Sequence, residues 1–400
     1  MEYVKGKPYF CDTKQKIKQY SYLDKDKSCE ILIIGGGIDG AIANFYLSKN
    51  FDVILVDKGR LGCSCTACAT ALLEYQLDDY AKDLGSCMST EDIVKAYRMG
   101  LDAVEKISSF IKQYGNNCEF ALRPTFLFSN SIFSIKALED EYNFRISNGF
   151  ECRYFNQQNN PFSFPIKSGI YAENGGCEFN PYLFTKQMIE NSSNQHNIFE
   201  NTNIKKLSKN ANGFVAETNF GEKICCKKIL IATGFNWEVL NANNLCERFI
   251  TYSIVTSPLK DFSWYNKAMI HDATTPYHYL RLLPDNRIIF GGEDAIFNEK
   301  HISERKTNKK YDKLTKSLFG LFPNLKACTT IDYKFCGSFG TTKNNMGLIG
   351  KSKIDDDILL FISCGANGII NAMKGVEVVE DILLNKTNPL ENLFDPKREV

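Results

Sequence analysis

Three stretches of this 400-residue sequence combine residue types and spacings that can do chemistry. In the first, "GGGIDG", Gly35, Gly37 and Gly40 follow the apolar run Ile31 to Ile34 in G-x-G-x-x-G spacing. The first glycine of such a turn permits a tight bend, and the second lets backbone approach a pyrophosphate. The third lets the following helix pack close to the strand. That helix, opening at Ile38, turns its N-terminal N–H groups and the positive end of its dipole toward phosphates. Asp39 is an acid beside an expected diphosphate, and it reads as a helix N-cap. "FDVILVD" supplies a second strand ending in Asp57, with Lys58 next in the chain. An acid there accepts hydrogen bonds from ribose hydroxyls and repels a 2′-phosphate, which argues against NADP.

The second stretch, "ILLFISCGANGIINAMKGVEVVEDIL", repeats the strand–turn–helix pattern near the C-terminal end. Its bend holds Gly365, Ala366, Asn367, Gly368 and Ile369. Apolar Ile370, Met373, Val376, Val379 and Leu383 then recur at helical spacing. Two helix N-termini suit a cofactor with two separated polar ends, and FAD is one. It has a diphosphate at one end and, at the other, a ring that carries negative charge near N1 when reduced. "KKILIATGF" adds a strand ending in Ala232, Thr233 and Gly234. No second G-x-G-x-x-G occurs, which speaks against a built-in NAD(P)H domain. The third stretch, "CSCTAC", holds Cys63, Cys65 and Cys68. It admits a redox dithiol, a metal site or small apolar packing. A metal wants a second ligand pair, and none is present in the sequence, so no metal is expected. Packing is the favoured reading, with a redox sensor built on the three cysteines as the alternative.

The elements that position these residues follow from pattern and composition. A chain of this length, 44% hydrophobic, suggests two domains or one with a large insertion. Its 48 Lys and Arg against 47 Asp and Glu give no reason to invoke nucleic acid or an anionic membrane surface. No transmembrane run or secretory leader is read, and the fifteen cysteines are taken as reduced thiols in a cytoplasmic protein. "TEDIVKAYRMGLDAVEKISSFIKQYG" predicts an amphipathic helix behind a Thr90 cap, while "NRIIFGGED" and "ALRPTFLFS" predict strands.

With these motifs in order, the chain resembles the FAD-dependent oxidoreductases of the D-amino-acid oxidase/glycine oxidase type, particularly their amine-oxidising bacterial branch. "ILIIGGGIDGAIANFYL", "VDKGRLGCSCTACATALLEYQLDD", "LRPTFLF", "CEFNPYLFTKQM", "ILIATGF", "TYSIVTSPL", "PYHYLRLLPDNRIIFGGED", "FCGSFGTTKNNMGLIG" and "CGANGIINAMKGVEVVEDIL" carry the likeness. The resemblance implies an α/β fold: a Rossmann-like FAD-binding domain of discontinuous segments with an inserted α+β substrate domain of antiparallel sheet and helices. The expected boundaries are a lead-in at 1–28, FAD-binding segments at 29–84, 165–250 and 328–390, and substrate segments at 85–164 and 251–327. Cofactor contacts carry over to the three turn glycines, Asp57, Ser64, Thr66, the Ile204 backbone, Gly234 and the 365–369 bend. Ile38, Asp39, Lys58, Ala232 and Thr233 are added as their neighbours.

Family members that oxidise α-amino acids usually place an Arg before a "TKDG"-like segment to pair with the substrate carboxylate. Here Phe339 stands at or near that place, which favours an amine, or an amino acid gripped elsewhere. Arg281 is the remaining candidate cation, with a structural role weighed equally, and Tyr252 and Tyr279 are candidate cavity walls. Cys336 lies near the place where some sarcosine-oxidising relatives attach FAD, but non-covalent binding is favoured. Of the four histidines, His271 and His278 fall in the substrate segments. Hydride transfer to flavin does not require a base, so no catalytic residue is assigned. The implied activity is dehydrogenation of a C–N bond by hydride transfer to flavin N5, with hydrolysis of the imine. Oxygen or another acceptor then takes the electrons.

Overall fold

The computed structural model describes residues 2–234, 245–274 and 276–398. Its chain builds two sheets. The first has a parallel run in the order Ile358–Ile362, Lys223–Ile231, Lys27–Ile34, Val53–Val56 and Ile198–Phe199. Register sets Leu32 beside both Ile229 and Ile54. These strands are apolar on both faces because both are covered. Ile31, Ile33, Val53 and Leu55 pack among helices, including Ile38–Leu47 and Gly368–Leu383. Alternate residues Leu32, Ile34, Ile54 and Val56 pack on the other side with Phe214, Ala216 and Ile224 from an antiparallel meander.

The second sheet is largely antiparallel. Along it run Val4–Gly6, Ile331–Thr341, Glu247–Thr256, Ile288–Ile296, His278–Leu282, Met269–Asp272, Ala121–Ser129, Ser168–Glu178 and Leu72–Glu74. The helix Glu304–Leu321 covers one face through Tyr311, Leu314 and Leu318. "ALRPTFLFS" accommodates Pro124 by a register shift between Arg123 and Thr125, where the missing N–H interrupts the ladder.

The two sheets exchange segments more often than the expected boundaries. Leu72–Glu74, Ser168–Glu178 and Ile331–Thr341 lie in stretches read as FAD-binding, yet their ladder bonds join the second sheet. The expected lead-in is also woven into the fold. Val4–Gly6 pairs with Phe335–Gly337, and the two apolar anchors Phe10 and Leu23 are buried, which together hold a polar segment down. The helix Thr90–Tyr114 packs on the C-terminal helix, with Lys106 Nζ donating to Met373 O at 2.8 Å and pairing with Glu377 at 2.8 Å. Its N-cap is Ser89 rather than Thr90: the Ser89 hydroxyl accepts from the Asp92 N–H at 3.1 Å.

Candidate active site

The glycine turn is compact for steric reasons. Gly35 has φ +111°, and a Cβ there would meet Ala232 O at 2.3 Å. A Cβ on Gly40 would lie 1.8 Å from Gly35 O, so this glycine is needed where helix and strand touch. The Asp57 carboxylate closes the turn, accepting from Gly36 N–H at 2.6 Å and Gly59 N–H at 2.7 Å. Burial pushes its pKa up. Thr66 Oγ1 accepts from Ile38 N–H at 3.0 Å and lies 3.2 Å from where a Gly37 Cβ would be.

Both glycine bends open on one cavity. Gly35, Gly37, Ile38 and Asp39 line it from the turn into the helix Ile38–Leu47, and Gly365, Ala366, Gly368 and Ile369 from the turn into Gly368–Leu383. Asp57, Lys58, Ser64, Thr66, Ile204, Ala232, Thr233 and Gly234 complete this half, and Tyr279 and Phe339 face it from the second sheet. Neither N-cap residue caps its own helix: Gly37 has no side chain, and Asn367 donates to Gln76 O instead. Thr66 Oγ1 takes the Ile38 N–H and Asp78 Oδ2 the Ala366 N–H at 2.9 Å, and the positive ends of both helices open on the cavity beside them. That arrangement fits the diphosphate and the reduced ring of FAD, and these residues would hold them.

Four of the expected residues are placed elsewhere. Gly40 and Asn367 support the bends without lining the cavity. Tyr252 packs edge-on against Tyr311 in the core behind the sheet, at 6.0 Å between ring centroids. Arg281 is 1% exposed and fully engaged. Its Nε donates to Thr70 O and its Nη2 to Phe179 O, both at 2.8 Å, while Nη1 lies 3.4 Å from Glu178. It is a structural cation beneath the cavity wall, with no direction left for a substrate acid. Its acidic partner is Glu178, since Asp285 pairs with Arg287.

Asp39 is not an N-cap either. Gly37 holds that position, and the Asp39 carboxylate accepts from both the N–H and the hydroxyl of Ser363. It thereby ties the first helix to the end of strand Ile358–Ile362. Burial pushes its pKa up to about 7 against those two donors.

The cysteines divide. Cys65 and Cys68 sit on one helical turn against the cavity, and burial raises both thiols, which leaves little thiolate for dithiol exchange. Cys63 is exposed and faces Cys11. That thiol, with Lys186 and Tyr182, lowers its pKa to about 6. Cys336 packs beside Tyr311 and does not line the cavity. Among the described residues no cluster of His, Cys, Asp or Glu is arranged to hold a metal ion.

Several cavity residues escaped the sequence reading. Thr251, Tyr277 and Asp294 line the end facing the second sheet, together with His271. Tyr277 O–H donates to Asp294 Oδ2 at 2.7 Å, and the Thr251 and Tyr279 hydroxyls are 2.7 Å apart. His271 Nδ1 is 2.8 Å from Glu74 Oε1. Burial lowers the His271 pKa, but Glu74 and Asp78 outweigh it and the net shift is upward. The one available signal was "GGED", a glycine pair followed by acids within an apolar strand.

With this geometry, comparison with known proteins defines the class. The chain belongs to the FAD dependent oxidoreductase family (DAO), whose model matches residues 30–380. FAD is accordingly its cofactor. It is 20% identical over 397 residues to a putative Rieske 2Fe-2S iron–sulfur protein of Bacillus subtilis, covering 96% of this chain and 74% of that one. It is 19% identical over 377 residues to the gamma-glutamylputrescine oxidoreductase of Escherichia coli, covering 90% and 85%. Glycine oxidase from Geobacillus kaustophilus shares the fold with a TM-score of 0.79 at 13% identity, over 94% of this chain and 100% of that one. Among the described residues no helix is long and apolar enough to cross a membrane.

Proposed function

We propose that this flavoprotein dehydrogenates the C–N bond of a small amine or amino acid, with FAD held non-covalently between the two glycine bends. The carrying observation is the pair of helix N-termini, each behind a glycine bend, opening on one cavity whose far end holds tyrosines, a histidine and a carboxylate. Bound there, FAD supplies a two-electron acceptor for the C–H bond next to nitrogen. The substrate loses a hydride from carbon and a proton from nitrogen. The resulting imine adds water and releases a carbonyl compound and ammonia or an amine, and oxygen or another acceptor reoxidises the cofactor. The chain's own part is placement. Thr251, Tyr277, Tyr279 and Phe339 wall the substrate end and exclude water, and Ser64 and Thr66 sit under the cofactor side. The names of two similar proteins, gamma-glutamylputrescine oxidoreductase and glycine oxidase, support an amino compound as substrate.

The test is an absorbance spectrum of the purified protein, before and after acid precipitation, followed by anaerobic addition of amines and amino acids. The reading expects a flavin spectrum, release of the flavin on precipitation, and bleaching by members of one substrate class. A flavin indifferent to every amino compound but bleached by dithiols, with that response lost in a Cys65/Cys68 double variant, would refute it in favour of a redox sensor.

A further inference from the structure

The strand Ile288–Ile296 breaks its ladder where it reaches the cavity. Ile250 pairs with Ala295 and Tyr252 with Gly292, so Glu293 and Asp294 together oppose the single residue Thr251. Gly292 has φ +133° and Glu293 φ +58°, a left-handed conformation that a non-glycine residue adopts at a cost. Bulges of this kind re-aim side chains, and this one divides two adjacent acids. Glu293 points to the helix Glu304–Leu321 and pairs with Lys310 at 3.1 Å and Lys313 at 3.3 Å. Asp294 lines the cavity and has no ion-pair partner among the described residues.

The carboxylate is otherwise under-satisfied. Oδ2 accepts from Tyr277 O–H at 2.7 Å, while Oδ1 is buried with no hydrogen-bond partner among the described residues. The Thr251 hydroxyl beside it is shared with Tyr279. The rings of Tyr277 and Tyr279 lie 6.0 Å apart and both face the cavity. A buried acceptor beside two tyrosine rings is suited to an alkylammonium, which gains an ion pair and the negative face of a ring together. Among the described residues at this end, away from Lys58 on the cofactor side, a substrate carboxylate finds no such welcome. Phe339 is neutral, Arg281 is fully engaged, and Glu74 at 2.8 Å cancels the charge of His271.

We infer that the substrate is a diamine or longer polyamine. Its distal ammonium is held by Asp294, Tyr277 and Tyr279, while its other nitrogen, as the neutral amine, lies at the flavin. This rests on the proposed amine dehydrogenation and names its substrate class. The spacing of charges then selects the substrate: a monoamine leaves Asp294 unpaired, and an amino acid sets carboxylate against carboxylate.

Anaerobic titration of the FAD-loaded protein with diaminobutane, butylamine and aminobutanoate tests this, read as loss of flavin absorbance. Diaminobutane is expected to reduce the flavin with an apparent Kd roughly tenfold below that of butylamine, with aminobutanoate weakest. Asp294→Asn should erase that preference. Should this variant fail to fold, Tyr277→Phe, which removes only the hydroxyl orienting the carboxylate, should weaken diaminobutane severalfold. Equal potency of butylamine or aminobutanoate, or a preference that survives in the variants, overturns the inference. A second readout needs no turnover. Tetramethylammonium should perturb the flavin spectrum saturably in the parent protein and not in Asp294→Asn, and acetate should do nothing. Asp294-dependent binding without bleaching by any amine would refute the dehydrogenation and keep the subsite. Bleaching by amines with no tetramethylammonium effect would refute the subsite and keep the dehydrogenation.

Discussion

Asp39 offers a quantitative check on how the first helix is built. Its carboxyl is buried in the first helical turn and accepts two hydrogen bonds from Ser363, yet burial raises its pKa from 3.8 to about 7. A carboxyl held above its unfolded value favours the folded state only while protonated. Its contribution is therefore fully present below pH 3.8 and lost as pH rises to about 7. Three pKa units at 1.36 kcal/mol each give about 4 kcal/mol, of which about 2.5 kcal/mol falls between pH 5 and pH 8. Asp39→Asn removes the titration and keeps an acceptor for Ser363. Urea unfolding of the FAD-free protein at pH 5 and pH 8 should show the variant gaining about 2 kcal/mol on the parent over that interval. FAD affinity, read by flavin fluorescence, should fall with rising pH in the parent, because an ionised Asp39 would face the diphosphate. The variant should show a flatter profile. Parallel stability profiles for the two proteins would refute the argument and show that the hydrogen bonds from Ser363 outweigh desolvation.

Other positions make independent demands. Gly40→Ala puts a Cβ 1.8 Å from Gly35 O and should cost about 3 kcal/mol or more and strip the flavin, so a yellow variant with an unchanged Tm would contradict the close helix–strand contact. Arg281→Met leaves Glu178 with Arg123 as its remaining cation and frees the Thr70 carbonyl. It should lower stability by about 3 kcal/mol without shifting the ratio of amine to amino-acid reactivity. Loss of amino-acid reactivity alone would mean that Arg281 reaches the substrate. Cys63, exposed and lowered to about 6 by Cys11 and Lys186, should be alkylated by iodoacetamide at pH 7 well before Cys65 and Cys68. Peptide mass mapping reads the order, and first labelling of the C-x-x-C pair would revive it as a dithiol.

The cofactor half of the site was legible because its signals are local. Gly35, Gly37 and Gly365 mark backbone turns between a strand and the helix that follows, and the Asp57 carboxylate closes the first turn from the end of the next strand, so their spacing survives transfer from sequence to space. The substrate half was legible only in part. Tyr279 and Phe339 reach the cavity, but Tyr252 and Arg281 do not, and Tyr277 and Asp294 went unread as wall residues. On a strand, neighbouring side chains point to opposite faces, so one inserted residue reverses every assignment beyond it. Thr251 and Tyr252 face opposite sides by plain alternation, to the cavity and to the core, while the extra residue lies opposite them in Ile288–Ile296, where Asp294 reaches the cavity.

By itself the sequence therefore determined a parallel sheet with two glycine-turned helix N-termini, the FAD they suit and the family they belong to. These depend on short-range sterics and on apolar alternation, which a single strand or helix already expresses. Tertiary structure alone decided which charges face the cavity. Arg281 is consumed by Thr70, Phe179 and Glu178, whereas the adjacent acids Glu293 and Asp294 part to opposite faces. Partners for a buried charge come from strands distant in the chain, and a bulge's direction depends on the strand it is paired against.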